Sequence, residues 1–371
     1  MKRRLKIFGW LAAAMAMLGG LVVVSGVVPV KASSGHLPPT RWFLNFASSR
    51  SVWTHSLGVD VPPLDEQGFV ALGAATYDTN CRFCHGSPTQ PGMPVAQGMT
   101  PKPPYLPDVL DQWEDRELFY ILQHGIKFAG MPAWPTQQRT EEIWPVVAFL
   151  RAFQDMDAAT YLQLTRAPAG DEGMSTPTTR LANACNLCHG TEGAAPVSTR
   201  VPRLAGQSEV YLANSLLAYQ SGERYSGVMQ QVAANLLESE IQNLAKHFAE
   251  TEIPPSTGGR DGGVDEQEST AAIPVDGAVS ASGEALAQYG NAEDKIPSCV
   301  DCHGPTTQPR DPAYPLLAGQ PARYLEEHLR LFAERNRGGS PHAHKMYPVA
   351  DVLSQPQRQA LADYFSRLPP P

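Results

Sequence analysis

Cys81-Arg-Phe-Cys84-His85-Gly86, Cys185-Asn-Leu-Cys188-His189-Gly190 and Cys299-Val-Asp-Cys302-His303-Gly304 are three copies of one pattern, C-x-x-C-H-G, and they use all six cysteines of the 371-residue chain. Two thiols three positions apart face the same way on a short helical turn, where they reach the two vinyl groups of one haem and form thioethers. The adjacent histidine then lies beneath the iron as its proximal ligand. Zinc is a competing reading, but structural zinc sites gather four nearby ligands and these pairs stand about a hundred residues apart. A redox dithiol is the other competitor, and three dithiols each followed by His-Gly would be a coincidence. The expectation is three covalently attached haem c groups. Cys81 and Cys84, Cys185 and Cys188, and Cys299 and Cys302 hold them, with iron on His85, His189 and His303.

Composition agrees with small haem units rather than one large core. Aromatic residues make up 8% of the chain, against 34 prolines and 31 glycines, which points to short helices joined by long loops. The net charge is −8, and without the basic residues Lys2, Arg3, Arg4 and Lys6 it is −12. Such a balance argues against nucleic acid as a partner and favours a protein with a basic docking face.

The four basic residues precede an uncharged run from Ile7 to Val30. Its 24 residues would make about 36 Å of helix, enough to cross a bilayer. The basic end should stay in the cytoplasm and everything after Lys31 should be exported, which is where haem is attached to C-x-x-C-H. A cleaved signal peptide is the alternative, with Val30-Lys31-Ala32 as a cutting site, but signal cores are usually shorter than this run. A retained anchor in the bacterial inner membrane, with haem units in the periplasm, is the reading adopted. Trp42, Phe43, Phe46 and Trp53 follow closely and suit either the membrane surface or packing beneath the first haem unit.

The expected organisation is an anchor over 1–32, a connector over 33–63, haem units over 64–166, 167–254 and 278–371, and a flexible linker over 255–277. The first unit opens on a helix carrying Phe69, Leu72, Gly73 and Tyr77 into Cys81. It closes on a helix from Glu141 to Phe153 with Thr140 as N-cap. Between them, Pro101-Lys-Pro-Pro-Tyr-Leu-Pro107 is too proline-rich for helix. The second and third units repeat each other. Pro202-Arg-Leu-Ala-Gly-Gln207 matches Pro315-Leu-Leu-Ala-Gly-Gln320, each with a tyrosine four residues on, Tyr211 and Tyr324. Met229 precedes Leu236 and Phe248 by the same offsets that separate Met346 from Leu353 and Phe365. Matched offsets of this kind indicate duplication.

Those methionines bear on the sixth coordination site, which separates electron carriers from haem enzymes. Met229 is the only methionine between His189 and His303, and Met346 the only one after His303. Each is the expected axial ligand of its haem. In the first unit Met131, within Gly130-Met131-Pro132, is the leading candidate and Met99 the second. His124, His342 and His344 are rivals, the last two because they stand shortly before Met346. Carbonyls of the proline- and glycine-rich loops, near Pro202 and Gly206, are placed to fix the imidazole N–H, and Tyr211, Tyr324, Arg203 and Arg323 are candidates for the haem propionates.

On these residues, Arg180 to Pro371 resembles the tandem two-haem periplasmic cytochromes c, and Leu64 to Arg166 is similar to a separate class I cytochrome c domain with a Gly-Met-Pro ligand loop. The resemblance implies an all-α fold, three cytochrome c-type haem domains after one N-terminal transmembrane helix, with low-spin haems that pass electrons between redox partners. The leading reading is a membrane-anchored three-haem relay with no substrate of its own, hence no enzyme, serving a terminal oxidase, a quinol-oxidising complex or a dehydrogenase. The alternatives are the electron-accepting cytochrome subunit of a periplasmic dehydrogenase complex and, third, a haem peroxidase.

Overall fold

The structure, a computed structural model, describes residues 2–28, 31–166, 176–251, 277–305 and 309–370. It is all-α, and the strand-like pairings recorded among the described residues are isolated bridges such as Ile126 to Met131. Helix α1, Lys2–Val24, is exposed along its length, contains an 18-residue stretch of mean hydropathy 2.2 and is long and apolar enough to cross a membrane. It ends before the uncharged run does, because Ser25 turns back onto the Val22 carbonyl and Gly26 adopts a left-handed φ of 66°.

Residues 33–63 are more than a connector. Helix α2, Pro38–His55, occupies most of that stretch, starting on the Pro-Pro pair that suits a first turn. Its C-terminal end is packed, with Val52 buried and His55 stacked 5.9 Å from Tyr120. Trp42, Phe43 and Phe46 on its N-terminal half stay exposed, Trp42 stacked on Phe46 at 5.7 Å.

The first unit contains α3 (Phe69–Asn80), α4 (Arg82–His85), α5 (Pro94–Gln97), α6 (Asp115–His124), α7 (Trp144–Phe153) and α8 (Ala158–Thr165). Helices α3 and α7 cross at Gly73, where a Cβ would lie 2.0 Å from the Pro145 carbonyl oxygen, so only glycine permits the approach. Around the crossing Tyr77, Phe149, Phe153 and Tyr161 are fully enclosed, with ring centroids 5.0 Å apart for Tyr77–Phe153 and for Phe149–Phe153. Each contributes about 1.5–3 kcal/mol by leaving water. The closing helix differs from expectation: Thr140–Ile143 forms a 3₁₀ turn, and the α-helix begins only at Trp144, with Pro145 in its first turn. Thr140 therefore caps nothing. Pro101 to Tyr105 is non-helical as expected, and a 3₁₀ turn follows at Leu106–Asp108.

The second unit holds α9 (Pro177–His189), α10 (Glu209–Gln220), α11 (Met229–Ala234) and α12 (Glu238–Glu250), and its core gathers Ala182, Tyr211, Leu212, Ile241, Leu244 and Phe248. The third holds α13 (Gly277–Tyr289), α14 (Val300–His303), α15 (Ala322–Ala333), α16 (Ala343–Val352) and α17 (Gln355–Arg367), around Ala287, Ile296, Tyr324, Leu353, Leu361 and Phe365. Side-chain caps set the starts: Thr176 accepts from Thr179 N–H, Ser208 from Tyr211 N–H and Ser354 from Gln357 N–H. The expected linker over 255–277 lies outside the described residues except for Gly277, which opens α13.

Polar contacts join the units. Gln207 donates to the Leu316 carbonyl at 2.7 Å and accepts from Leu316 N–H at 2.9 Å. Gln320 does the same to Arg203, at 2.9 and 3.0 Å, so the second and third units are related by a local pseudo-twofold. The first unit docks on the second through Glu66, which accepts two hydrogen bonds from Arg200 at 2.8 and 2.7 Å. Glu142 completes the contact, accepting from Ser226 Oγ at 2.8 Å and Gly227 N–H at 2.6 Å.

Candidate functional site

Each C-x-x-C-H run is a helical turn stopped by its glycine. Gly86, Gly190 and Gly304 adopt φ of 75°, 77° and 67°, the left-handed geometry that L side chains resist. At Gly190 a Cβ would also stand 1.7 Å from the Ala195 carbonyl oxygen. Turn geometry brings the histidine under the cysteines, with His85 N–H donating to the Cys81 carbonyl at 3.0 Å and His303 N–H to that of Cys299 at 2.9 Å.

All three imidazoles are held in the same way. Nδ1 of His85 bonds the Pro104 carbonyl at 2.8 Å, that of His189 the Pro202 carbonyl at 2.8 Å and that of His303 the Pro315 carbonyl at 2.9 Å. A carbonyl accepts only, so Nδ1 carries the proton and Nε2 keeps its lone pair for a metal. Burial lowers the pKa of all three histidines, that of His303 to about 4, which keeps the rings neutral as ligation requires.

The thiols argue against the competing chemistries. Burial pushes Cys81 and Cys188 up to about 12 and Cys185 and Cys299 to about 11, the opposite of an activated redox dithiol. Among the described residues no three His, Cys, Asp or Glu side chains converge as a metal cluster, so zinc has no ligand set there.

The second and third motifs open into one continuous cavity of about 920 Å³. Its walls include Cys185, Cys188, His189 and Met229 from one repeat, and Cys299, Cys302, His303 and Met346 from the other. Most of the lining is apolar, yet Arg203, Arg224, Ser215 and His328 each aim a buried nitrogen or oxygen that has no protein partner. Two further constraints sit there: Arg224 donates to Tyr324 OH at 3.2 Å and Arg337 to Tyr211 OH at 3.0 Å, all four side chains being buried. Uncompensated guanidinium charges in such a place are costly. The cavity therefore calls for large flat apolar bodies that carry anionic groups, and haems with their propionates fit it.

Not every expected residue sits where the repeat pattern suggested. Arg203 lines the cavity, whereas Arg323 is exposed and faces Glu326. The arginines that meet the two tyrosines are Arg337 and Arg224, each from the opposite repeat. Both stand thirteen residues after their own repeat's tyrosine, a matched offset that could have found them. Met229 and Met346 line the cavity from helices, α11 and α16, rather than from loops. His342 also lines it, but its Nε2 is engaged by Asp311 at 3.0 Å, and His344 is exposed. His124 lies 4.6 Å from Tyr120 on α6. Cys81, Cys84 and His85 are not among the residues lining this cavity. Met131 pairs with Ile126, and the Met99 methyl reaches the neighbouring Gly130, whose added Cβ would stand 2.2 Å from it. The fold thus brings both first-unit methionine candidates together.

Comparisons with known proteins agree with this chemistry. Residues 69–150 match the family described as cytochrome C oxidase, cbb3-type, subunit III. The thiosulfate dehydrogenase electron acceptor of Thiomonas intermedia is 33% identical over 188 residues, 51% of this chain and 80% of that protein. Cytochrome c4 of Pseudomonas aeruginosa is 29% identical over 188 residues, 50% of this chain and 85% of that protein. The crystal structure of reduced cytochrome c4 from Pseudomonas stutzeri aligns with 52% of this chain and 96% of its own, at 28% identity and a TM-score of 0.42. The chain belongs to the class I cytochromes c, as a multihaem member whose C-terminal half is similar to the two-haem cytochromes c4.

Proposed function

We propose that this protein is a membrane-anchored periplasmic carrier that holds three haem c groups and relays electrons from a dehydrogenase toward a respiratory acceptor. The observation that carries the reading is the shared cavity, in which two C-x-x-C-H turns, two carbonyl-fixed imidazoles and two methionines meet among buried arginines. His85, His189 and His303 are the proximal ligands, and Met131, Met229 and Met346 the opposite ones. Bound haem supplies reversible one-electron chemistry at iron, with thioether ligation favouring the reduced state. The protein's own contribution is to fix the imidazoles, exclude water with apolar walls and place guanidinium charge beside the propionates.

With a methionine on each iron, no coordination position stays open to a substrate, and the chain acts as a carrier rather than an enzyme. That a relative accepts electrons from thiosulfate dehydrogenase supports an oxidoreductase as donor. The net charge of −12 beyond the basic residues Lys2, Arg3, Arg4 and Lys6 steers the periplasmic head toward a basic docking face, an attraction that added salt weakens. Helix α1 supplies the anchor, and the exposed Trp42, Phe43 and Phe46 of α2 suit the lipid interface just beyond it. The intact mass of the protein extracted from membranes tests both parts of the reading. Three haem additions on a chain that begins at Met1 are expected. Fewer haems would refute the relay, and a mass starting near Ala32 would refute the anchor.

A further inference from the structure

The first unit is seated against the second at the very edge where the second haem is attached. Helix α3 packs on α9, and its Ala75, Thr76, Thr79 and Asn80 form part of the wall of the cavity that Cys185 and Cys188 open into. Both hydroxyls on that wall are turned back to their own helix, Thr76 to the Leu72 carbonyl and Thr79 to the Ala75 carbonyl, each at 2.8 Å. Ala75 and Thr76 are buried in the seat, while Thr79 and Asn80 at the end of the helix stay exposed. Asn80 is followed directly by Cys81, the first haem-attaching residue of the first unit, and consecutive Cα atoms are about 3.8 Å apart. One helix therefore lines the second site and carries the attachment of the first.

The seat is locked by half-buried polar contacts. Arg200 makes its two bonds to Glu66 while its guanidinium lies 5.2 Å from the Phe69 ring at the start of α3. Glu142 is tied to Ser226 and Gly227, and Arg139 donates to the Tyr225 carbonyl at 3.3 Å. Trp134 covers Gly227, where an added Cβ would stand 1.9 Å from the indole nitrogen.

Resting on the three-haem reading, we propose that the first unit is a fixed exchange partner for the second. Helix α3 is the bridge between their haems and closes the thioether edge of the second site to outside proteins. One electron leaves one group, which is oxidised, and enters the other, which is reduced, with no bond or proton exchanged. Outside partners then meet the chain at the first or third unit, and the second is an internal station.

Pulse radiolysis of the oxidised full-length holoprotein tests this by following the first-order redistribution of the injected electron. In the native protein the phase should be independent of salt, viscosity and protein concentration. Arg200→Glu should slow it about tenfold or more and make it salt-sensitive, as small displacements of reacting groups do. The charge-exchanged pair Arg200→Glu with Glu66→Arg should restore it. Double electron–electron resonance between the ferric first and second haems should give one narrow distance that broadens in Arg200→Glu and sharpens in the exchanged pair. An unchanged phase and distance in Arg200→Glu would overturn the proposal. Haem content by mass on the same samples separates the two levels: fewer than three haems refutes the underlying reading, and three haems without a fixed spacing refutes this inference alone.

Discussion

Gln207 and Gln320 close the PxLAG segments of the two repeats, and each uses its amide to make two hydrogen bonds with the backbone of the opposite unit, to Leu316 and Arg203 respectively. The residue that best marks the duplication in the sequence is thus the one that joins the two copies. Both side chains are nearly inaccessible, at 5% and 3% exposure. Replacing either with alanine strands a half-buried carbonyl and N–H of the opposite unit. Each variant should lose about 2–4 kcal/mol at that interface, measured by guanidinium denaturation, with the second and third units unfolding in separate steps.

The left-handed glycines after the haem histidines make a sharper test. Gly190→Ala meets both a φ of 77° and a carbonyl oxygen 1.7 Å from its new methyl group. The turn cannot form without displacing Ala195, so attachment at Cys185 and Cys188 should fail while the other haems are retained. Intact mass reads this directly, as a loss of one haem from three.

Axial ligation is open to single substitutions. Met229→Ala should leave its haem attached but lower its potential or open its iron to carbon monoxide. An unchanged potential and spectrum would exclude Met229 as the ligand. In the first unit the same comparison of Met131→Ala with Met99→Ala decides between two side chains that the fold brings together, and Met131→Ala is expected to give the larger change.

Glu141 makes docking of the first unit pH-dependent. Burial raises its pKa to about 7, against the opposing pull of Arg139, with Glu327 and Glu142 adding repulsion. Arg330 of the third unit faces it at 3.8 Å. The folded state therefore binds more protons than the unfolded chain between the ordinary carboxylate range and about pH 7. Stability should fall as pH rises through that window. Glu141→Gln should flatten the dependence, read as Tm against pH for both proteins.

Much of this was legible because haem attachment is written in adjacent residues. C-x-x-C-H-G needs only one helical turn, so sequence spacing and spatial placement coincide, and the carbonyl that fixes each imidazole falls in the proline-rich loop expected to supply it. What escaped reading depends on separate segments meeting. Arg224 and Arg337 reach tyrosines in the opposite repeat, and Arg200 finds Glu66 across a separation of 134 residues. Such contacts leave no local periodicity. Helix α2 leaves little periodic signal because its exposed aromatic half has no apolar stripe, and Thr140 is no cap because Pro145 lets the chain enter α7 through a 3₁₀ turn. Arg323, set beside Tyr324 in sequence, points away from the site on an exposed helix face.

The central claim, three methionine-ligated haems in a carrier with no open iron, is tested most directly by a redox-titrated visible and near-infrared spectrum of the full-length protein with carbon monoxide added to its reduced form. Three low-spin haems, the methionine-to-iron charge-transfer band and no reaction with carbon monoxide are predicted. A high-spin haem, or one that binds carbon monoxide, would contradict the account and make that iron a site of chemistry.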